Sequence, residues 1–233
     1  TENFYKTALS IYNNPQLFGS DLYGGVFPQL CGALFWLIGP SRIFVQYTNV
    51  LLSIIGFMFV LLAMRKLNIP EDISRNILFI ACLMPVPASI SAIFLRESLM
   101  FCLIAASFYS FVLWLRGGAW MTVVTALALV GLTATFHFGV LGLAVGYAFA
   151  LLFYNRDSAR FSFTIANLAR SLPILLVAVF VVARFPSIFL EKLDGVTSAA
   201  DAISIATESS GGSAYLTGME VTNPITFVLF GGL

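Results

Sequence analysis

Charge is what this chain has least of: Asp, Glu, Lys and Arg make up 10% of its 233 residues, against about 25% in soluble domains. A water-facing surface cannot be built from so few charges. Histidine is nearly absent too, with His137 the single example, and no His/Cys/Asp/Glu set has metal-ligand spacing. No Walker loop, HExxH or GxSxG motif occurs, so ATP hydrolysis and zinc chemistry have no support. The three cysteines, Cys31, Cys82 and Cys102, lie in apolar runs without a CxxC pair and read as small hydrophobes. A net charge of +1 removes the basic footprint of a nucleic-acid binder.

What is present is apolar. Hydrophobic residues account for 59%, with 23 phenylalanines, and the mean hydropathy is +0.94. One core of this size cannot hide that much apolar surface, so lipid is the expected cover. The composition predicts an all-α, polytopic transmembrane bundle forming a single domain over residues 1–233. Thr1 and the ending Phe230-Gly231-Gly232-Leu233 read as truncations.

A helix needs roughly 20 apolar residues to cross a bilayer core of about 30 Å. Six segments qualify as spans: Ile43 to Met64, Asn76 to about Ser91, Leu99 to Leu115, Trp120 to Phe136, Phe138 to Tyr154, and Leu172 to about Phe185. Val26 to Ile38, set between Gly24-Gly25 and Gly39-Pro40-Ser41, is too short and reads as a re-entrant or interfacial helix. Phe4, Ala8 and Ile11 have helical spacing, which predicts a further short helix.

Alternate threading places Arg65, Lys66, Arg75, Arg116, Arg156, Arg160 and Arg170 on one side, which the positive-inside rule makes cytoplasmic. The other side receives the segment 1–42, the Arg96 and His137 corners, and the polar stretch 187–223 with Glu191, Asp194, Asp201, Glu208 and Glu220. Chemistry is expected on that outer face.

Ionisable groups at span ends are the functional candidates. Arg96-Glu97 follows the proline-broken stretch Met84-Pro85-Val86-Pro87, where freed backbone groups require protein or a water-filled cavity alongside. Arg96 suits a phosphate or carboxylate, and Glu97 is a candidate general base; the alternative is a structural ion pair between the two, or a helix-end anchor. His137 sits at a tight turn on the same side and suits acid-base chemistry or phosphate binding, with a hydrogen-bonded surface residue as the alternative. Asp21 lies in a turn-rich loop, and Arg42 and Arg184 mark outer span ends, where snorkelling anchors are the competing reading.

Tyr5-Lys6-Thr7-Ala8, Phe27-Pro28-Gln29, Gly39-Pro40-Ser41-Arg42 and Asn49-Val50-Leu51-Leu52-Ser53 resemble the start of polyprenyl-dependent membrane glycosyltransferases of the GT-C type. The stretch from Met84-Pro85 to Leu95-Arg96-Glu97-Ser98-Leu99, and Phe136-His137-Phe138-Gly139-Val140, are similar to motifs of O-antigen-polymerase-like polysaccharide-synthesis proteins of the bacterial inner membrane. The resemblance covers residues 1 to 140. It implies a polyprenyl-phosphate-linked sugar donor as substrate and no further cofactor. On this reading Arg96 would bind lipid phosphate, with Glu97 and His137 lining the same outer site as catalytic groups; from their outer positions alone, Asp21 is a further catalytic candidate, and Arg42 and Arg184 are further phosphate-binding candidates. Such enzymes carry an acidic residue in the first outer loop, where this chain offers Glu2 and Asp21. Expected partners are membrane lipid, a lipid-linked glycan and other membrane subunits. Two further readings stay open: a transporter or flippase for a lipid-linked sugar, with its site near the midplane on broken helices, and a non-catalytic membrane subunit.

Overall fold

A computed structural model describes residues 2–20, 23–83, 94–155 and 160–161, and seven α-helices lie among these described residues. They are α1 (Glu2–Asn13), α2 (Val26–Ile38), α3 (Arg42–Lys66), α4 (Glu71–Leu83), α5 (Glu97–Leu115), α6 (Trp120–Ala134) and α7 (Leu141–Phe153). Short 3-10 turns cover Pro15–Leu17 and Phe138–Val140, and a two-residue antiparallel ladder pairs Tyr154 with Phe161 and Asn155 with Arg160. The all-α expectation holds apart from that ladder. The expected span Leu172 to Phe185, the outer stretch 187–223 and the Pro85-Pro87 break lie outside the described residues.

Among the described residues, α3 and α5 are the two helices long and apolar enough to cross a membrane, while α2, α6 and α7 are apolar but shorter. At 1.5 Å per residue, α3 is about 37 Å long and α5 about 28 Å. α7 starts three residues later than expected because Phe138–Val140 forms a 3-10 turn. α4 starts earlier than expected, at Glu71, whose carboxylate and that of Asp72 sit in the first turn and favour the positive helix end.

α3 and α5 run parallel. Asn49 contacts the backbone at Leu95, Gly56 lies against Phe101 and Cys102, Phe59 meets Tyr109, and Arg116 reaches Leu67, so the offset between partners stays nearly constant. Gly56 permits this approach: a Cβ there would lie 2.6 Å from Phe101 Cε1 and 3.3 Å from the Cys102 Cα. Small residues at helix crossings serve this purpose in membranes.

Both parallel helices stop in the same way. At the end of α3, Asn68 N–H donates to Arg65 O and Ile69 N–H to Met64 O, with Asn68 left-handed at φ 60°. At the end of α5, Gly117 N–H donates to Trp114 O and Gly118 N–H to Leu113 O, with Gly117 at φ 97°. These paired bonds are the Schellman motif, which needs a residue tolerant of positive φ. Arg116 Nη2 then donates to Leu67 O at 2.7 Å, so a cation of α5 satisfies the negative end of α3. Arg65, Lys66 and Arg116 thus gather at one end, beside the Trp114–Trp120 ring pair.

α6 runs back against α5. Buried Ser107 donates to Ala126 O at 2.8 Å, and because its single proton is used there, the Tyr147 hydroxyl donates to Ser107 Oγ at 3.1 Å. The Tyr147 ring stacks on Phe111 with centroids 4.1 Å apart. One serine therefore ties α5, α6 and α7 together.

The opposite end is capped by the α1–α2 hairpin. Gly32 lets the two helices touch, since a Cβ there would sit 2.8 Å from Ile11 Cγ2 and 3.2 Å from Ala8 O. Gln29 holds the connecting loop by donating to Ser20 O and accepting from Gly19 N–H. Phe27, Cys31 and Phe35 face inward with Ala8, Val45, Phe94 and Phe136 as one buried cluster. Burial pushes the Cys31 thiol up to about 12, leaving it uncharged and unreactive at neutral pH.

Candidate functional site

The buried cluster decides which ionisable groups meet. Phe94 is wholly buried, with ring centroids 5.7 Å from both Tyr5 and Phe27; burying a phenylalanine stabilises by about 1.5–3 kcal/mol. One residue on, Leu95 O accepts a 2.9 Å hydrogen bond from Asn49 Nδ2, and Asn49 is 2% exposed. Ring and amide together fix the chain immediately before Arg96-Glu97. Phe136, the residue before His137, belongs to the same cluster, as does Val45 one turn after Arg42. The Arg96-Glu97 corner, His137 and Arg42 therefore share one end of the bundle, away from Arg65, Lys66 and Arg116.

At that corner the chemistry is unfinished. Arg96 is the N-cap residue of α5 and makes no side-chain capping bond; a guanidinium has no acceptor to offer, and a cation at a helix N-terminus opposes the macrodipole. Among the described residues, the ion pairs are Arg42–Glu2 and Arg75–Asp72, so the alternative reading of Arg96 and Glu97 as a structural ion pair does not hold. Glu97 Oε2 is buried without a hydrogen-bond partner among the described residues, and so is Ser98 Oγ. Buried polar atoms are almost always bonded, and each one left unmade costs about 1–3 kcal/mol. Arg96, Glu97 and Ser98 thus present one half-buried guanidinium, one carboxylate oxygen and one hydroxyl in adjacent positions.

The other candidates are placed as follows. Arg42 Nη1 lies 3.1 Å from Glu2 Oε2 and its guanidinium stands 5.9 Å over the Tyr5 ring, so it latches α1 to the start of α3. Glu2, one of the two acids in the first outer segment, is committed to that latch. His137 is exposed; its N–H donates to Thr133 O at 3.2 Å and its carbonyl accepts from Val140 N–H. Its Nε2 comes within 3.2 Å of where a Gly139 Cβ would be, so Gly139 makes room for the imidazole. Asp21 and Arg184 lie outside the described residues. No group of three or more metal-ligating side chains exists among the described residues.

Sequence reasoning missed Asn49 and Ser98 as parts of this corner. The available signals were an amide in the middle of the Ile43–Met64 apolar run, and a serine directly after Arg96-Glu97. Comparison with protein-family models, characterised proteins and solved structures returns no match.

Proposed function

We propose that this chain is a multi-pass integral membrane protein, of about six spans with short interfacial helices, that forms glycosidic bonds at the extracytoplasmic face of a bacterial inner membrane from a polyprenyl-phosphate-linked sugar. Two geometric facts support the membrane part. Ile43, Tyr47, Ile54 and Met58 of α3 are 78%, 62%, 51% and 57% exposed, an apolar surface that water does not favour. In addition, α3 and α5 run parallel; if both cross, the connection between them must cross as well, which makes α4, with its 13 described residues, part of a third span.

Cys82 tests that third span. It is uncovered by protein, and at 1.5 Å per residue it lies about 17 Å along α4 from Glu71, near mid-bilayer. In a Cys31→Ala/Cys102→Ala background, a charged, membrane-impermeant maleimide is expected to leave Cys82 unlabelled in intact membranes and to label it after denaturation. Prompt labelling in membranes would mean that α4 stands in water.

The observation that carries the catalytic reading is the unpartnered Glu97 carboxylate oxygen beside the uncapped Arg96. On this proposal Glu97 takes the proton from an acceptor hydroxyl as its oxygen attacks the anomeric carbon. The bond from that carbon to the phosphate oxygen breaks, and Arg96 holds the departing phosphate charge. His137, at the same end, supplies a further donor to the phosphate. General-base catalysis contributes roughly 10²–10⁴-fold. Glu97→Gln keeps the shape and loses the basicity, so glycosidic-bond formation is expected to fall by about that factor while binding of farnesyl phosphate persists. Undiminished bond formation in Glu97→Gln would remove Glu97 from the mechanism.

A further inference from the structure

The proposed function uses Arg96 and Glu97 and leaves the next residue unexplained. Ser98 is 3% exposed and its hydroxyl has no partner among the described residues. It lies in the first turn of α5, where Cα–Cβ bonds tilt toward the helix N-terminus, so its Cβ carries the hydroxyl on the side of the end that Arg96 occupies. The main-chain N–H groups of residues 97–99 belong to that same turn. The first intrahelical bond runs from Met100 N–H to Arg96 O, so those amides have no partner within α5.

Apart from the Glu97 carboxylate, the first turn of α5 and its cap therefore offer donors: three amides, a hydroxyl and a guanidinium, at the positive pole of a 19-residue helix. The side chain that could have capped the helix is itself a cation. Such an end is completed by an anion with several acceptor oxygens. Glu97 Oε2 asks for the opposite, a hydrogen-bond donor. One ligand satisfies both demands if it carries a phosphoryl group next to a hydroxyl.

We propose that the first turn of α5 is a phosphoryl-binding site in which the Ser98 hydroxyl and the amides of residues 97–99 donate to the phosphoryl oxygens, with Arg96 as counter-charge. This deepens the proposed function and rests on it for the identity of the bound lipid. The phosphoryl group itself could be borne by a polyprenyl lipid or be free phosphate. The site makes Ser98 a binding residue whose hydroxyl is idle until the ligand arrives.

The test is calorimetric titration of the full chain in a phosphate-free, non-ionic detergent with farnesyl phosphate and, separately, inorganic phosphate. Wild type is expected to bind farnesyl phosphate, Ser98→Ala to bind it at least about tenfold more weakly, as loss of a hydrogen bond to a charged group implies, and Ser98→Thr to stay near wild type. Binding of farnesyl phosphate alone assigns the site to a lipid, and equal binding of inorganic phosphate assigns it to the free anion. Without ligand, Ser98→Ala is expected to melt no lower than wild type, because it deletes a buried hydroxyl that has no partner. A lower melting temperature would show that Ser98 is structural and would overturn the proposal. So would wild-type affinity in Ser98→Ala; if Arg96→Ala then still abolishes binding, the glycosyl-transfer reading survives. Ser98-dependent binding in a protein that forms no glycosidic bond sustains the site and removes that reading instead.

Discussion

Arg96→Ala is expected to abolish glycan elongation while the protein remains inserted and folded. The expected loss is at least 10²-fold, the usual consequence of removing one preorganised donor to developing negative charge. Arg96 occupies the N-cap of α5 without a capping bond and has no ion-pair partner among the described residues, so neither a cap nor a described ion pair is lost with the guanidinium. The substitution also relieves a cation at the positive helix end, so thermal stability is expected to hold or rise. That split, activity lost and stability kept, separates a ligand-binding arginine from a structural one. Arg96→Lys should recover only a fraction, because an ammonium lacks the planar two-pronged donor geometry. Elongation assays on membranes, with melting measured on the purified variants, decide the matter; retained elongation in Arg96→Ala would remove this corner from the mechanism.

Gly56→Val is expected to have the largest effect on the fold. The added Cβ would fall 2.6 Å from Phe101 Cε1 and 3.3 Å from the Cys102 Cα, and the β-branch leaves it little freedom to turn away. Phe101 is held against Phe57 with centroids 5.0 Å apart, so its ring cannot swing aside freely. The helices must separate, at roughly 3 kcal/mol, the upper end of the ordinary cost of overpacking. Separation also draws Asn49 from Leu95 O, so activity should fall with stability. Gly131→Ala is the matched control: no atom lies within 4 Å of its Cβ position, and alanine is the better helix former. Denaturation in increasing SDS compares the two; equal midpoints for Gly56→Val and wild type would contradict the parallel α3–α5 packing.

The helices were legible in the sequence because their signals are local. Ser41 before α3, Gly39-Pro40 after α2 and Gly117-Gly118 after α5 punctuate apolar runs whose ends agree with the structure within about two residues, the normal uncertainty of helix ends. The alternate threading already made α3 and α5 parallel, with Arg65, Lys66 and Arg116 on one side. That the two pack directly against each other was not legible, because it depends on contacts between residues some fifty positions apart, and apolar faces that pack or meet lipid have the same composition.

The site was half legible for a related reason. Charged residues stand out against an apolar background, so Arg96, Glu97, His137 and Arg42 were visible, and the alternating threading put them on one side. The structure brings the Arg96-Glu97 corner, His137 and Arg42 to one end through Phe94, Phe136 and Val45. It also divides their roles. Arg42 is engaged by Glu2, whereas Arg96 and Glu97 are neighbours in sequence that do not pair. Asn49 and Ser98 carry no charge and were passed over; their importance lies in partners, a distant carbonyl for one and none for the other.

The measurement that bears most directly on the central claim is made in proteoliposomes containing the full chain and a radiolabelled polyprenyl-linked sugar. Products are separated by size, and the sidedness of the label is followed in parallel. The account predicts longer glycans carrying new glycosidic bonds, formed by wild type and missing with Arg96→Ala. Label that crosses the bilayer with no new bond would contradict it, and would make the Arg96-Glu97-Ser98 corner part of a transport path.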